Sequence, residues 1–268
     1  MSLNNLIPHA DKHAIENAVL AIEWGVELNT AQLEEVRVAI KPALKDFPRE
    51  EPQQTIRVNL APNPGAAPMP VSEIGGYVYS KYSADGNVPK QVQLTKANCL
   101  FVVTTYTRWK DLITEASGVF AQVLSALPAG MPVPTIGLQY SDRFKWVGRL
   151  ADLDLSKVFR QNSPFVASHV SECRLACHSH HGYFGDSSKP IPNRRLDNIN
   201  VNIVDEPDAR TIQIVSSHRA TLTEQLSGVD FQKHVNEFQE YLHGVHKDII
   251  RKMLCDDLLV KIGFELEE

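Results

Sequence analysis

The chain has 268 residues, 43% hydrophobic and 22% charged, with 27 basic against 32 acidic side chains and a formal net charge of −5. That is enough chain, with an ordinary apolar fraction, to bury a core without disulfide or metal staples, as one large domain or two small ones. The balance disfavours general nucleic-acid binding, which asks for a basic face beyond the doublet Arg194–Arg195.

Residues 17–28 alternate as a strand does, with Leu20, Ile22 and Trp24 on one side and Val19 and Ala21 on the other. Asn29 then caps a helix, with Gln32 in capping-box position and Leu33, Val36, Ile40, Leu44 and Phe47 along one face. Pro42 falls inside that pattern, where it costs roughly 3 kcal/mol in a helix interior, so a break is expected there. Ile56, Val58 and Leu60 form one face of a strand. The proline-rich run 61–70 reads as a long connection inside a strand-rich region. Strand patterns return at 76–82, 91–94 and 99–106. Thr107 is expected to cap a second helix, opened by Trp109 on its core-facing stripe and closed by Pro128; a strand over 135–144 follows.

Further on, Ile199, Val201 and Ile203 alternate with Asn198, Asn200 and Asn202, which predicts a half-exposed strand with an asparagine-rich outer face. A partner strand at 211–217 is expected to pair with it. Phe231, Val235, Phe238, Leu242, Val245, Ile249, Met253 and Leu258 predict one long C-terminal helix. The fold class is therefore α+β: two sheet-plus-helix halves, residues 1–148 and 149–268, with largely antiparallel sheets. No glycine/serine linker separates them, so one bilobal unit is expected.

Phosphate-loop, dinucleotide-fingerprint, serine-elbow and zinc-helix motifs are all absent, which lowers the prior for the common enzyme classes. The densest chemistry is Cys173, Cys177, His178, His180 and His181. On a helix Cys173, Cys177 and one of His180 or His181 would share a stripe and could hold zinc. On a strand the two cysteines would stand about 13 Å apart, and the glycine and aromatic residues that follow favour the strand. The expectation is therefore no cofactor, with small core cysteines beside surface histidines, and zinc as the alternative. His243 and His246 sit three apart beside the apolar seam of the last helix, where a hydrogen-bonded role at the core edge is expected.

Tyr106 and Trp109 before a helix, and the strand Ile136-Gly137-Leu138-Gln139-Tyr140-Ser141-Asp142-Arg143, resemble a sporadically distributed, uncharacterised bacterial family with an I-G-L-x-Y-x-x-R strand. The late strand beginning Leu196-Asp197 and the helical segment Val245-His246-Lys247-Asp248-Ile249 are similar to that family in the same order; Asp142 stands where the family often has Asn. The resemblance implies a single α+β protein of two related halves and an association with mobile-element or phage-defence loci, and it supplies no catalytic residues. In this strand Gly137 would admit a close backbone or ring, Asp142 and Arg143 could pair, and a structural role is expected for Trp109, Gly137, Tyr140, Asp142, Arg143 and His246.

With no signal-type N-terminus, no run of about 18 apolar residues and four scattered cysteines, a cytoplasmic location is expected and no membrane association. The leading expectation is a non-enzymatic accessory protein with a protein partner, including a second copy of itself. A metal-dependent hydrolase or nuclease using residues 173–181 is the first alternative. A small-molecule or nucleotide sensor with a pocket between sheet and helices is the second.

Overall fold

The computed structural model describes residues 3–59, 69–173, 176–207 and 209–265. Its strands are β1 (Leu6–Pro8), β2 (Ile15–Glu23), β3 (Arg49–Asn59), β4 (Met69–Lys81), β5 (Lys90–Thr95), β6 (Asn98–Val103), β7 (Thr135–Trp146), β8 (Cys177–Ser187), β9 (Asn193–Glu206) and β10 (Ala209–Leu222). The helices are α1 (Thr30–Ile40), α2 (Trp109–Ala126), α3 (Gly228–Gln232), α4 (Val235–Met253) and α5 (Asp256–Lys261). This is an α+β fold. Among the described residues ten strands form one sheet, in the order β3-β4-β5-β6-β2-β7-β10-β9-β8 with β1 beside β7, and every named pair is antiparallel. The proline-rich connection lies mostly outside the described residues; its last two, Met69 and Pro70, belong to β4.

The sheet is continuous because β7 pairs with β2 on one side and β10 on the other. Two meanders flank this centre: β3 to β6 ends against β2, and β8 to β10 ends against β7. Helices cover one face. On that side β9 buries Ile199, Val201 and Ile203, whereas Asn198, Asn200 and Asn202 stay half-exposed.

Local signals explain most boundaries. The Asn29 side chain accepts from the Gln32 backbone N–H, and the Gln32 side chain accepts from the Asn29 N–H, both at 2.9 Å. Asn29→Ala is expected to lower stability by about 1 kcal/mol in urea unfolding, and an unchanged midpoint would show that the capping box contributes nothing. Pro42 ends α1 in a short 3-10 turn over Lys41–Leu44. At α2 the cap is Arg108 rather than Thr107, and no side chain caps its first turn. The single long C-terminal helix expected over 231–258 is divided into α3, α4 and α5, because Leu254 is extended (φ −93°, ψ 149°) between the last two. Among the described residues no helix is long and apolar enough to cross a membrane.

The core has two apolar clusters placed end to end along the strands. One holds Leu138 and Tyr140 of β7, Ala220 and Leu222 of β10, and Phe238 and Leu242 of α4. The other holds Phe144 and Trp146, Ile212 and Ile214, and Ile249, Ile250 and Met253 of the same three elements. Between them lie buried polar residues: Asp142 on β7, Ser216 and His218 on β10, Asp197 on β9 and His246 on α4. Each such group loses hydration on folding and requires a partner.

Candidate functional site: a buried carboxylate beneath an aromatic cavity

The helix-side face of β7 runs Ile136, Leu138, Tyr140, Asp142, Phe144, Trp146, so a carboxylate stands in a row of apolar and aromatic side chains. Asp142 is 5% exposed and its Oδ2 has no hydrogen-bond partner within the protein. Burial lifts its carboxyl to about 7. Facing it, α4 places His246, whose Nε2 is 4.0 Å from Asp142 Oδ2 and whose Nδ1 shares a 2.8 Å hydrogen bond with Ser216 Oγ. Burial first, then His218 and His243, holds the His246 imidazole well below the usual histidine range. Desolvation thus pushes acid and base toward their neutral forms, and the contact is not an ion pair.

Asp142, His246 and Ser216 are the residue types of a nucleophilic triad, but Ser216 is fully buried, so its hydroxyl meets no substrate. The open side of the site is aromatic. Tyr140 Oη and His243 Nδ1 share a hydrogen bond of 3.1 Å, and the Tyr140 ring lies 4.2 Å from that of His246. Trp109 stacks on His243 at 4.2 Å with the planes 9° apart, and its Nε1 donates to Glu240 Oε2 at 2.9 Å. Tyr106 sits edge-on to both Tyr140 and His13. Burial lowers His13, and burial followed by Lys247 lowers His243 to about 4.

These groups border a cavity of about 510 Å³, with Asp142 and His246 at its floor. Its walls come from residues 12–15, the entry to α2, the end of α4 and residues 262–265. Among the described residues that line it are exposed Lys12, Arg108 and Glu265 and partly exposed Lys247 and Arg251, with Asp248 3.8 Å from Arg251 and Glu240 bonded to Trp109.

A second buried carboxylate shows what a structural one looks like in this fold. Asp197 is fully buried and accepts from Arg195 Nε at 2.8 Å, with its Oδ1 2.7 Å from His218 Nδ1. Burial pushes its pKa up, but His218 and Arg195 outweigh burial and hold it below the usual carboxylate range. Arg195 is held in turn by the Tyr241 hydroxyl. Asp197 has partners on both sides, whereas Asp142 Oδ2 has none within the protein.

The structure brings together Trp109, Tyr140, Asp142 and His246 of the residues singled out in the sequence. It places Gly137 and Arg143 on the opposite face of β7, because successive strand residues project to opposite sides. Arg143 therefore pairs with Glu16 and Glu206, at 3.0 and 2.7 Å, and not with Asp142. A Cβ on Gly137 would meet His218 O at 3.6 Å and Ala21 Cβ at 3.7 Å, ordinary contacts, so no close approach requires glycine there. Trp109 is half-buried: it packs against the first cluster and walls the cavity.

The cysteine and histidine run is split by the start of β8. Cys173 follows a 3-10 turn over Ser168–Glu172, whereas Cys177 is the first residue of the strand. The two thiols are therefore in contact rather than 13 Å apart along one strand. Burial, then Cys173, raises the Cys177 thiol to about 12. His178 and His180 point to the uncovered face, where His178 Nδ1 meets Asn202 Oδ1 at 2.5 Å, while His181 turns to Phe165 and Tyr183. Among the described residues no three His, Cys, Asp or Glu side chains converge as metal ligands.

Sequence reasoning passed over Lys12, His13, Ser216, His218 and Phe264. Asp142 was expected to have a structural role in the strand motif and to pair with Arg143. The available signal was a carboxylate at an i, i+2 apolar position, between Tyr140 and Phe144.

No protein-family model and no curated protein matches the chain. Among solved structures it is similar to "the di-domain ARO/CYC StfQ from the steffimycin biosynthetic pathway", at 10% identity and a TM-score of 0.21, over 92% of this chain and 97% of that one. A TM-score that low does not establish a shared fold.

Proposed function

We propose that this chain is a small-molecule sensor, a non-enzymatic cytoplasmic accessory protein whose ligand enters the cavity above Asp142. The single observation that carries the reading is a cavity of the size that takes small ligands, lined by aromatic side chains and by the buried Asp142, whose Oδ2 has no partner within the protein. Proteins rarely keep an unpaired buried acid that packing alone would replace. In this reading the response passes to a protein partner, or a second copy of this chain, through the sheet face that carries no helices.

Trp109 provides the readout, since the other two tryptophans, Trp24 and Trp146, are 5% and 3% exposed. Titrating metabolite pools into the full chain should quench Trp109 fluorescence in the wild type and far less in Asp142→Asn. Native mass spectrometry of freshly purified protein should show the retained ligand and any change of oligomeric state that it brings. If neither measurement finds a ligand, the reading falls. A ligand that leaves with a changed mass would replace binding by catalysis, for which a carboxyl near pH 7 is suited.

A further inference from the structure

We infer that β8 is the edge through which two copies of this chain associate, pairing β8 to β8 antiparallel with Gly182 on the two-fold axis. The inference is independent of the cavity and of what binds there.

An open sheet has two edges, here β3 and β8, each with a row of backbone N–H and C=O groups that can recruit another strand. The two edges differ in sequence. β3 carries Arg49, Glu50, Glu51 and Pro52 in succession, and its register shifts between Gln53 and Gln54. Charge, proline and a bulge are the devices by which an edge refuses a further strand. β8 has no proline, no lysine or arginine and no register shift along its 11 residues, and its one carboxylate, Asp186, is next to last. Among the described residues no strand lies on its outer side.

A strand that pairs with its own copy has to complement itself in reverse, and β8 does. Antiparallel pairing over the whole strand puts its midpoint, Gly182, opposite itself. Ser179 is buried on the helix side and His178 and His180 lie on the uncovered face, so the even-numbered residues share that face. In the full-length register Asp186 stands opposite the partner's His178, and Phe184 opposite the partner's His180. On the helix side Tyr183 stands opposite the partner's His181, beside Phe165, which stacks on Tyr183 at 5.9 Å. Each pair occurs twice by symmetry, and no two like charges face each other. Any other register shortens the overlap and takes Asp186 off the partner's His178, so length and chemistry select the same pairing.

The side chains are already presented for it. Phe184 is 64% exposed, and Arg194 on β9 holds both outer groups, its guanidinium 5.3 Å from the Phe184 ring and its Nε 3.5 Å from Asp186. Asn202 holds the His178 ring through Nδ1, which leaves Nε2 to meet the partner's acid. The two-fold axis runs perpendicular to the sheet, so the helices of both copies lie on one side and the uncovered faces join on the other.

The test is sedimentation velocity of the full chain, without added ligand, from micromolar to several hundred micromolar. The mass should rise from one chain toward two. His178→Asp, which sets two acids opposite each other, and Asp186→Lys, which removes the acid, should each weaken association at least tenfold. The double substitution, His178→Asp with Asp186→Lys, should restore it to within threefold, because opposite charges face each other again. Both side chains are exposed, so circular dichroism and melting temperature should stay at the wild-type values. Hydrogen exchange of the wild type needs no variant: β8 amides should slow as concentration rises, and β3 amides should not. A monomer at every concentration overturns the inference. So does a dimer that neither single substitution weakens, one that the double substitution fails to restore, or one that leaves exchange in β8 unchanged.

Discussion

Asp142→Asn is expected to make the protein more stable at pH 8 and no more stable at pH 4. The carboxyl sits at about 7 in the fold against an ordinary 3.8, lifted by burial. Between those values the folded state holds a proton that the unfolded chain has lost, so the wild type loses stability as pH rises through about 7. At about 1.4 kcal/mol per tenfold, the ionised carboxylate destabilises the fold by up to about 4 kcal/mol. Asn keeps the volume and removes the charge. Urea unfolding at half-unit pH intervals should therefore show the gap between variant and wild type opening from near zero at pH 4. A variant less stable than wild type at pH 8, or a gap that ignores pH, would mean that Asp142 has a partner after all.

The other buried carboxylate carries the opposite sign. Asp197→Asn is expected to cost about 3 to 5 kcal/mol at neutral pH, because it strips the counter-charge from the largely buried Arg195 and the acceptor from His218. Its depressed pKa means that Asp197 stabilises the fold above the ordinary carboxylate range and loses that contribution as pH falls below about 4. Thermal melts of Asp197→Asn at pH 7 and pH 3 check both statements: a large loss at pH 7 that shrinks at pH 3. An equal loss at both values would assign the effect to packing rather than charge. The two aspartates occupy the same buried belt, and only Asp197 is held there by an arginine.

This contrast bears on function. The fold surrounds Asp197 with Arg195, His218 and Tyr241 and so satisfies one buried acid, while it leaves Asp142 Oδ2 without a partner. The belt also explains why the core divides into two clusters. Apolar side chains pack on either side of a strip where β7, β9, β10 and α4 each contribute polar residues.

The α+β class, the capping box at Asn29, the break at Pro42, the inward Ile199-Val201-Ile203 face and the helix opened by Trp109 all follow from local patterning. Each is set by residues within a few positions of one another, through side-chain period, fixed backbone angles or a cap hydrogen bond. The alternation on β7 also placed Tyr140 and Asp142 on one face and Arg143 on the other, and read strictly it rules out an Asp142–Arg143 pair. The break at Leu254 was hidden because apolar spacing continues across it, and spacing records which side a residue faces, not whether the backbone stays helical.

The site itself depended on contacts between distant parts of the chain. His246 meets Asp142 across 104 positions, Trp109 stacks on His243 across 134, and His13 comes to Tyr106 across 93. No short-range pattern encodes those pairings, since they follow from β7 lying between β2 and β10 with α4 laid across them. Length and charge alone had left one large domain or two small ones, and had disfavoured general nucleic-acid binding. The tertiary structure joined the strands into one sheet and gathered Lys12, Arg108, Lys247 and Arg251 around a single opening. Net charge sums over the whole surface, whereas a ligand meets the local field, and only the fold decides which charges share a rim.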